Sequence, residues 1–597
     1  MNEQSSNWLG HHGETAAKTI HFLHPSRIRT VNLRTMHWRQ ATALLLALQI
    51  ALFLVIEPRG EFPLKDDWAY TQSVLWLLSE HRVRLSDWIG MNLLPQTLLG
   101  GATVDLFGFS FSALRHVTQA VALAGSVAML WMYRAAGLTP AQALLAAVAV
   151  VTTPWWLDLA NSYMTDVYAI ALAMPLAALC LRQLASERPM SWPTLTAISL
   201  LGALGVLQRQ VVLVLPVAFG CAWTLRRLMN DKPSQQPWRD WVFAWAPLAA
   251  CVLALALYKL YLATGPGVPA GQQHIEGRLL PMLGSLLAGD PFYWLWSSKL
   301  VCWLAGFIGL GVAAYGIILL GRGGGSAAQR FIVLIVALAL TAGMLAGLWV
   351  PPYRSGQVIA ATGIGPYTLF DVLGRFHRDV PTPAPEGFWR ACAIAAAVGA
   401  GAFVAAVAGA VRQSWRERGA DARRVFLLVT VLLYLLPFAI TDFIDRYLLF
   451  VLPFMLLLLH DALGTPQQRI YRSVVAIGGA LMLAFGLLST AASHDYFAWN
   501  RARWDAIAEA ARRGATPENL DGGFEYNAFY RAGKVAQITA PDKSWWWVND
   551  DRYCVTFDPR PGYSVLRSWE VRAWLPTTPR RILLLERIGN GSASAPR

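Results

Sequence analysis

Residues 61–70, EFPLKDDWAY, set two adjacent acids, Asp66 and Asp67, beside Lys65 and Trp68, ten residues beyond the end of a long apolar run at 41–56. A run of that length nearly crosses a hydrocarbon core about 30 Å thick. A membrane protein has no packing reason to place a charged cluster so close to the end of a span, so the stretch reads as the centre of a polar site. The composition agrees with a membrane setting: the 597 residues are 55% hydrophobic and only 14% charged, where soluble domains carry roughly a quarter charged residues.

Outward from this stretch, further apolar runs at 113–131, 141–157, 167–184, 193–207, 209–226, 241–262, 300–320, 330–349, 389–411, 424–440, 446–460 and 472–490 bring the expected spans to thirteen. An odd number puts the N-terminus in the cytoplasm and the C-terminus outside. Lys and Arg outnumber Asp and Glu in the loops this assigns to the cytoplasm, most densely at Arg412, Arg416, Arg418, Arg423 and Arg424, which is the bias that cytoplasmic loops carry. The net charge of +14 therefore reflects topology rather than nucleic-acid binding. Residues 1–38 read as a cytoplasmic tail, and the first run starts too late for a cleavable signal. The six cysteines form no CxxC pair, so neither a disulfide framework nor a zinc site is expected.

Three external loops are long: 57–112, 263–299 and 351–388. In the first, WAYTQSVLWLLSEHRVRLSDWI alternates at helical spacing and predicts an interfacial amphipathic helix with Trp68, Trp76 and Trp88. From residue 492 onward 27 of 106 residues are charged, the share of a soluble domain. A helix is expected at 504–513 and strands at Lys543–Trp547, Tyr553–Phe557, Ser568–Trp574 and Arg581–Arg587. The expected fold is thus an all-α polytopic membrane protein: tail 1–38, membrane domain 39–491, and a small C-terminal extracytoplasmic α+β domain, 492–597.

Four polar clusters fall on the outer side of this topology: Lys65, Asp66 and Asp67; Asp158, Asn161, Tyr163 and Asp166; Arg354, Arg375, His377 and Arg378; and Asp442, Asp445, Arg446 and Tyr447. Ionisable groups at span ends are costly unless paired or facing water, which makes them functional candidates. Each has a plain alternative: Asp66 or Asp67 as a helix cap before Trp68, Asp166 as the cap of the next apolar run, Asp445 and Arg446 as a local ion pair, and the Arg354 group as lipid-headgroup contacts. His274 and Glu276 lack a third metal ligand, His494 and Asp495 read as a domain junction, and no GxGxxG, P-loop or HExxH occurs.

Three of these stretches, FPLKDDWAYTQSV, ANSYMTDVYAIAL and DFIDRYLLFVLP, together resemble the integral-membrane glycosyltransferases related to protein O-mannosyltransferases and to the aminoarabinose transferases that modify lipid A. The resemblance implies a GT-C fold, a polyprenyl-phosphate-sugar donor, an envelope glycolipid, glycan or protein acceptor, and inverting transfer on the periplasmic side of a bacterial inner membrane. It maps the first-loop acid onto Asp66 or Asp67, the second-loop acid onto Asp166 and the late basic residue onto Arg446. The chemistry fits: a hydroxyl acceptor needs a carboxylate to take its proton, and a departing phosphate needs cations. Asp66 or Asp67 is then the base, Lys65, Arg446 and Arg354 neutralise phosphate, and Tyr70, Tyr163, Asp158, Asp445 and Tyr447 line the pocket. A divalent metal held by Asp66 and Asp166 stays open, as do two other functions: a flippase for lipid-linked saccharide and an O-antigen-type polymerase or ligase.

Overall fold

The computed structural model describes residues 36–588 apart from 187–188, 230–236, 321–325, 348–357, 361–362, 365–368, 370–385, 417–420, 464–467, 536–546 and 577. The helices are α1 (Trp38–Ile56), α2 (Asp67–Glu80), α3 (Leu94–Phe107), α4 (Phe111–Ala135), α5 (Pro140–Val151), α6 (Pro154–Ala160), α7 (Asp166–Ala185), α8 (Trp192–Gln208), α9 (Val214–Leu228), α10 (Pro237–Thr264), α11 (Ala270–Leu287), α12 (Pro291–Leu320), α13 (Ala327–Leu345), α14 (Glu386–Arg416), α15 (Ala422–Leu435), α16 (Leu448–Leu463), α17 (Gln468–Arg512) and α18 (Phe524–Arg531). Among the described residues nine helices are long and apolar enough to cross a membrane: α1, α4, α7, α9 with the turn before it, α10, α12, α13, α14 and α15. The expected runs 193–207, 446–460 and 472–490 fall on α8, α16 and α17. The chain is a multi-pass helical membrane protein.

The run at 141–157 is not one straight span. It divides into α5 and α6, which meet at 71°. The cause is local: Pro154 has no N–H to continue the ladder, and Thr153 instead starts a new helix by accepting from the Trp156 N–H at 3.2 Å.

The first long loop differs from the single interfacial helix expected there. Its helix α2 stops at His81 in a left-handed conformation, φ 53°, and α3 is a second helix. Trp68 is fully buried. Its ring and that of Trp88 meet Phe524 and Trp547 of the C-terminal region, with centroids 5.8–6.2 Å apart. These tryptophans face protein, not lipid headgroups.

α17 unites two expected elements, the last span and the helix at 504–513, in one 45-residue rod, about 67 Å long at 1.5 Å per residue. Its far end carries a four-stranded sheet. The strands are β3 (Leu520–Asp521), β4 (Tyr553–Thr556), β5 (Tyr563–Glu570) and β6 (Arg581–Arg587), in the order β3-β4-β6-β5, after a separate antiparallel pair of β1 (Ile359–Ala360) and β2 (Gly363–Ile364). β3 runs parallel to β4, while β6 is antiparallel to both β4 and β5. The strand expected at 568–574 is displaced to β5, because 574–575 are bound elsewhere: the N–H groups of Trp574 and Leu575 both donate to Asp495, at 2.7 and 2.8 Å. Of the strand expected at 543–547 only Trp547 is described, and it lies in a turn with φ 71°; residues 543–546 and residues 1–35 of the tail lie outside the described residues.

α12 and α14 pack backbone to backbone through glycines, as small residues permit in membrane helices. A methyl group on Gly309 would overlap the Ala396 carbonyl, and one on Gly316 would lie 2.6 Å from the Val398 carbonyl oxygen. Gly309→Leu is therefore expected to lower stability by about 3 kcal/mol or more, read as a reduced thermal midpoint in detergent. Gly277→Ala, which meets open space, should leave the midpoint near that of the native chain.

Candidate functional site

The start of α4, α6 with the turn after it, the turn before α16, and the helices α17 and α18 all meet the 61–70 stretch. Arg115, near the start of α4 and buried, donates to the carbonyls of Pro58, Gly60 and Phe62 at 2.9, 3.1 and 3.0 Å. The chain between α1 and α2 is thus fixed before it reaches the acids. Lys65 then adopts φ 56°, the left-handed region that a lysine enters only when surroundings hold it there. Its N–H donates to Glu525 Oε1 at 3.0 Å, and its buried ammonium pairs with Asp158, 5.8 Å from the Tyr496 ring centre.

That turn sends the two acids in different directions. Asp67 is buried: Oδ1 accepts from the Leu64 N–H at 2.5 Å and Oδ2 from the Tyr163 N–H at 3.4 Å. Asp66 occupies the N-cap position, but its side chain caps nothing. Oδ1 accepts from Trp88 Nε1 at 3.0 Å, and Oδ2 faces Arg446 Nη1 at 3.5 Å. With 13% of its side chain exposed, Asp66 is the acid of the pair that opens to the site.

Asp166 begins α7 and pairs with Arg209 at the end of α8, which also donates to Thr165 Oγ1 at 3.2 Å. Arg209 and Arg446 flank one aromatic ring, that of Tyr447, at 5.6 and 5.8 Å. Burial opposes the Arg446 charge, yet Asp166, Asp66, Tyr447 and Tyr70 outweigh it and hold the guanidinium protonated well above its ordinary range. Burial raises the Tyr70 phenol, and Asp66 adds to the rise while Arg446 opposes it. Two buried polar atoms here, Arg446 Nε and Asp166 Oδ2, have no hydrogen-bond partner among the described residues. A buried polar atom of this kind can take its partner from a polar ligand or water.

The other expected residues divide by role. Asp445 is fully buried and accepts from the N–H groups of Val358, at 3.1 Å, and Arg446, at 2.9 Å, so it holds the turn that presents Arg446. Tyr163 donates to the Gln96 carbonyl at 2.8 Å, while Gln96 and Gln208 bond side chain to side chain at 2.9 Å; the ring is a strut beneath the site. Asp442 pairs with exposed Arg278 at 2.5 Å, away from these contacts, and Glu276 pairs with Lys259. Arg354, Arg375, His377 and Arg378 lie outside the described residues.

A divalent metal between Asp66 and Asp166 does not suit this donor set. Arg446 interacts with both acids, Arg209 pairs with the second, and no group of three or more His, Cys, Asp or Glu among the described residues could hold a metal.

Sequence reasoning missed Arg209, Trp88 as a partner of Asp66, and Glu525. Arg209 had a signal, since an arginine in the brief break of an otherwise apolar 193–226 stretch needs a buried anion. Glu525 had none, because its partner lies 460 positions away.

No family model matches the chain, and no curated protein matches it in sequence. Among solved structures it is similar to ArnT from Cupriavidus metallidurans bound to undecaprenyl phosphate, at 14% identity over 91% of this chain and 97% of that one, TM-score 0.37. It is also similar to the archaeal oligosaccharyltransferase AglB from Archaeoglobus fulgidus in complex with an inhibitory peptide and a dolichol-phosphate, at 12% identity over 79% of this chain and 58% of that one, TM-score 0.40.

Burial pushes the Asp67 carboxyl up to about 8 from its ordinary 3.8, and the Glu525 charge adds to this, against Arg115 and the N–H groups of Leu64 and Tyr163. The folded chain keeps this proton to about pH 8, while the unfolded chain releases it near 3.8, so stability falls as pH rises through that window. Asp67→Asn has no such proton. Thermal midpoints of the variant and the native chain should shift in the variant's favour across the window; a constant difference, or the opposite trend, would contradict the assignment.

Proposed function

We propose that this chain is a GT-C-type glycosyltransferase that moves a sugar from a polyprenyl-phosphate donor to a hydroxyl acceptor, with inversion, on the periplasmic face of a bacterial inner membrane. The single observation that carries it is the pairing, near the ends of helices, of a partly open carboxylate with a buried guanidinium: Asp66 faces Arg446 at 3.5 Å, and Arg446 Nε has no hydrogen-bond partner among the described residues. An unsatisfied, permanently charged donor beside an available base is what phosphate departure from an attacked anomeric carbon requires.

The residues then divide the reaction as follows. The acceptor hydroxyl attacks the anomeric carbon, and its proton passes to Asp66. The bond from that carbon to the phosphate oxygen breaks, leaving polyprenyl phosphate with an added negative charge, which Arg446 neutralises. Asp67 is a poor base, since both oxygens take backbone N–H bonds and the proton is held to about pH 8. Asp166 and Arg209 form a neutral pair that steadies Tyr447 and Arg446 from behind. Lys65 stays engaged with Asp158 and contributes through the turn it makes. A cytoplasmic N-terminus, supported by the Lys/Arg bias of the short loops, puts this site and the sheet outside.

The test uses the purified protein in nanodiscs, a panel of polyprenyl phosphates carrying labelled sugars, and envelope extract from a strain lacking the gene. Label should move from the lipid carrier to the acceptor fraction, and Asp66→Asn should slow this by roughly 10²- to 10⁴-fold while the protein still inserts and folds, with a lowered thermal midpoint because Arg446 loses a counter-charge. Full transfer by Asp66→Asn would contradict the role of the acid. Transbilayer movement of labelled lipid with no glycosylated product would replace the enzyme by a flippase.

A further inference from the structure

The segment that aims Asp66 is held from the far end of the chain. Glu525 Oε1 accepts the Lys65 N–H at 3.0 Å, and Oε2 accepts from Arg503 Nη1 at 2.7 Å. Both acidic and basic side chains of this pair are 0% exposed. Arg503 is anchored in turn, its Nε donating to the Gly522 carbonyl at 2.8 Å. Around this contact the first loop and the outer region form one interface. Phe62 stacks on Trp504 with centroids 6.0 Å apart, Gln72 donates to the Phe529 carbonyl at 3.1 Å, and Trp88, the partner of Asp66, packs on Phe524 and Trp547.

A buried ion pair adds little net stability over a well-packed apolar pair, because both charges lose their hydration. Its use here is geometric. The left-handed turn at Lys65 is strained for a lysine and persists because Glu525 holds its backbone while Asp158 holds its ammonium. Without the first hold the turn relaxes, and Asp66 and Asp67 no longer diverge.

We propose that Glu525, oriented by Arg503, is a positioning residue for Asp66, so that the outer domain is a working part of the active site and not an appended module. This rests on the proposed role of Asp66 as base. α17 makes the linkage stiff, since the helix that carries Arg503 runs without a break from Gln468 to Arg512.

The test is a double variant, Glu525→Leu with Arg503→Met, which removes the acceptor without stranding a buried charge. In nanodiscs, backbone amides at 61–68 should exchange roughly tenfold faster or more, with α12, α14 and the sheet exchanging as in the native chain. Sugar turnover should fall roughly tenfold to a hundredfold, with KM within about twofold of the native value. Glu525→Gln combined with Arg503→Met, which keeps an acceptor oxygen at 525 and strands no charge, should restore much of the loop protection. Native-like exchange at 61–68 in the double variant, or unchanged turnover with a loosened loop, overturns the proposal. If the double variant does not fold, the Lys65 amide of the native chain decides: slow exchange supports the hold, and exchange at the rate of an open loop rejects it. Were the chain to transfer no sugar at all, the exchange measurements would still judge the hold separately from the catalytic reading.

Discussion

A guanidinium buried between acids governs this molecule. Arg446 is 4% exposed, and a charge so placed is tolerated only where opposite charges and hydrogen bonds meet it. Asp66 meets it from the first loop and Asp166 from the start of α7. Arg209, needed to balance Asp166, reaches across from the end of α8. Each element that ends at this site must end at one height, so the charge balance fixes how the helices line up as much as their apolar packing does.

The scaffold answers that demand with two kinds of rigidity. Below the site, close glycine contacts between α12 and α14 and the strut formed by Tyr163, Gln96 and Gln208 keep the spans in place. Above it, the far end of α17, α18 and the turn at Trp547 close over the first loop through Trp504, Phe524 and Trp547. Asp66 lies where these two bodies meet, with one oxygen on an indole from its own loop and the other toward Arg446. An acid placed at such a seam can remain partly open to a ligand while its direction is fixed on both sides.

Much of this is written in the sequence because hydropathy and length determine a membrane span nearly by themselves. Among the described residues nine of the thirteen expected runs fall on helices long and apolar enough to cross a membrane and one on the bent pair α5 and α6, while those at 193–207, 446–460 and 472–490 fall on α8, α16 and α17, outside that set. The convergence of Lys65–Asp67, Asp158–Asp166 and Asp445–Tyr447 was legible too, since each lies where an apolar run stops. Other features depend on distant partners and were not. No local pattern distinguishes Asp66 from Asp67, because their divergence rests on a turn that Glu525 holds from the other end of the chain. Trp68 and Trp88 have the spacing of an interfacial helix, and distant aromatic residues at 524 and 547 draw them into protein. The break at Pro154 was readable from Thr-Thr-Pro and was overlooked because hydropathy continues across it.

The most direct measurement of the central claim is equilibrium binding of a short-chain polyprenyl phosphate to the native chain and to Arg446→Met. If the free Nε–H of Arg446 receives the donor phosphate, the substitution removes a charge-assisted hydrogen bond of about 1.5–3 kcal/mol and weakens binding roughly tenfold to a hundredfold, while the same lipid lacking the phosphate binds both proteins alike. Equal affinity of the two proteins for the phosphate lipid would contradict the claim.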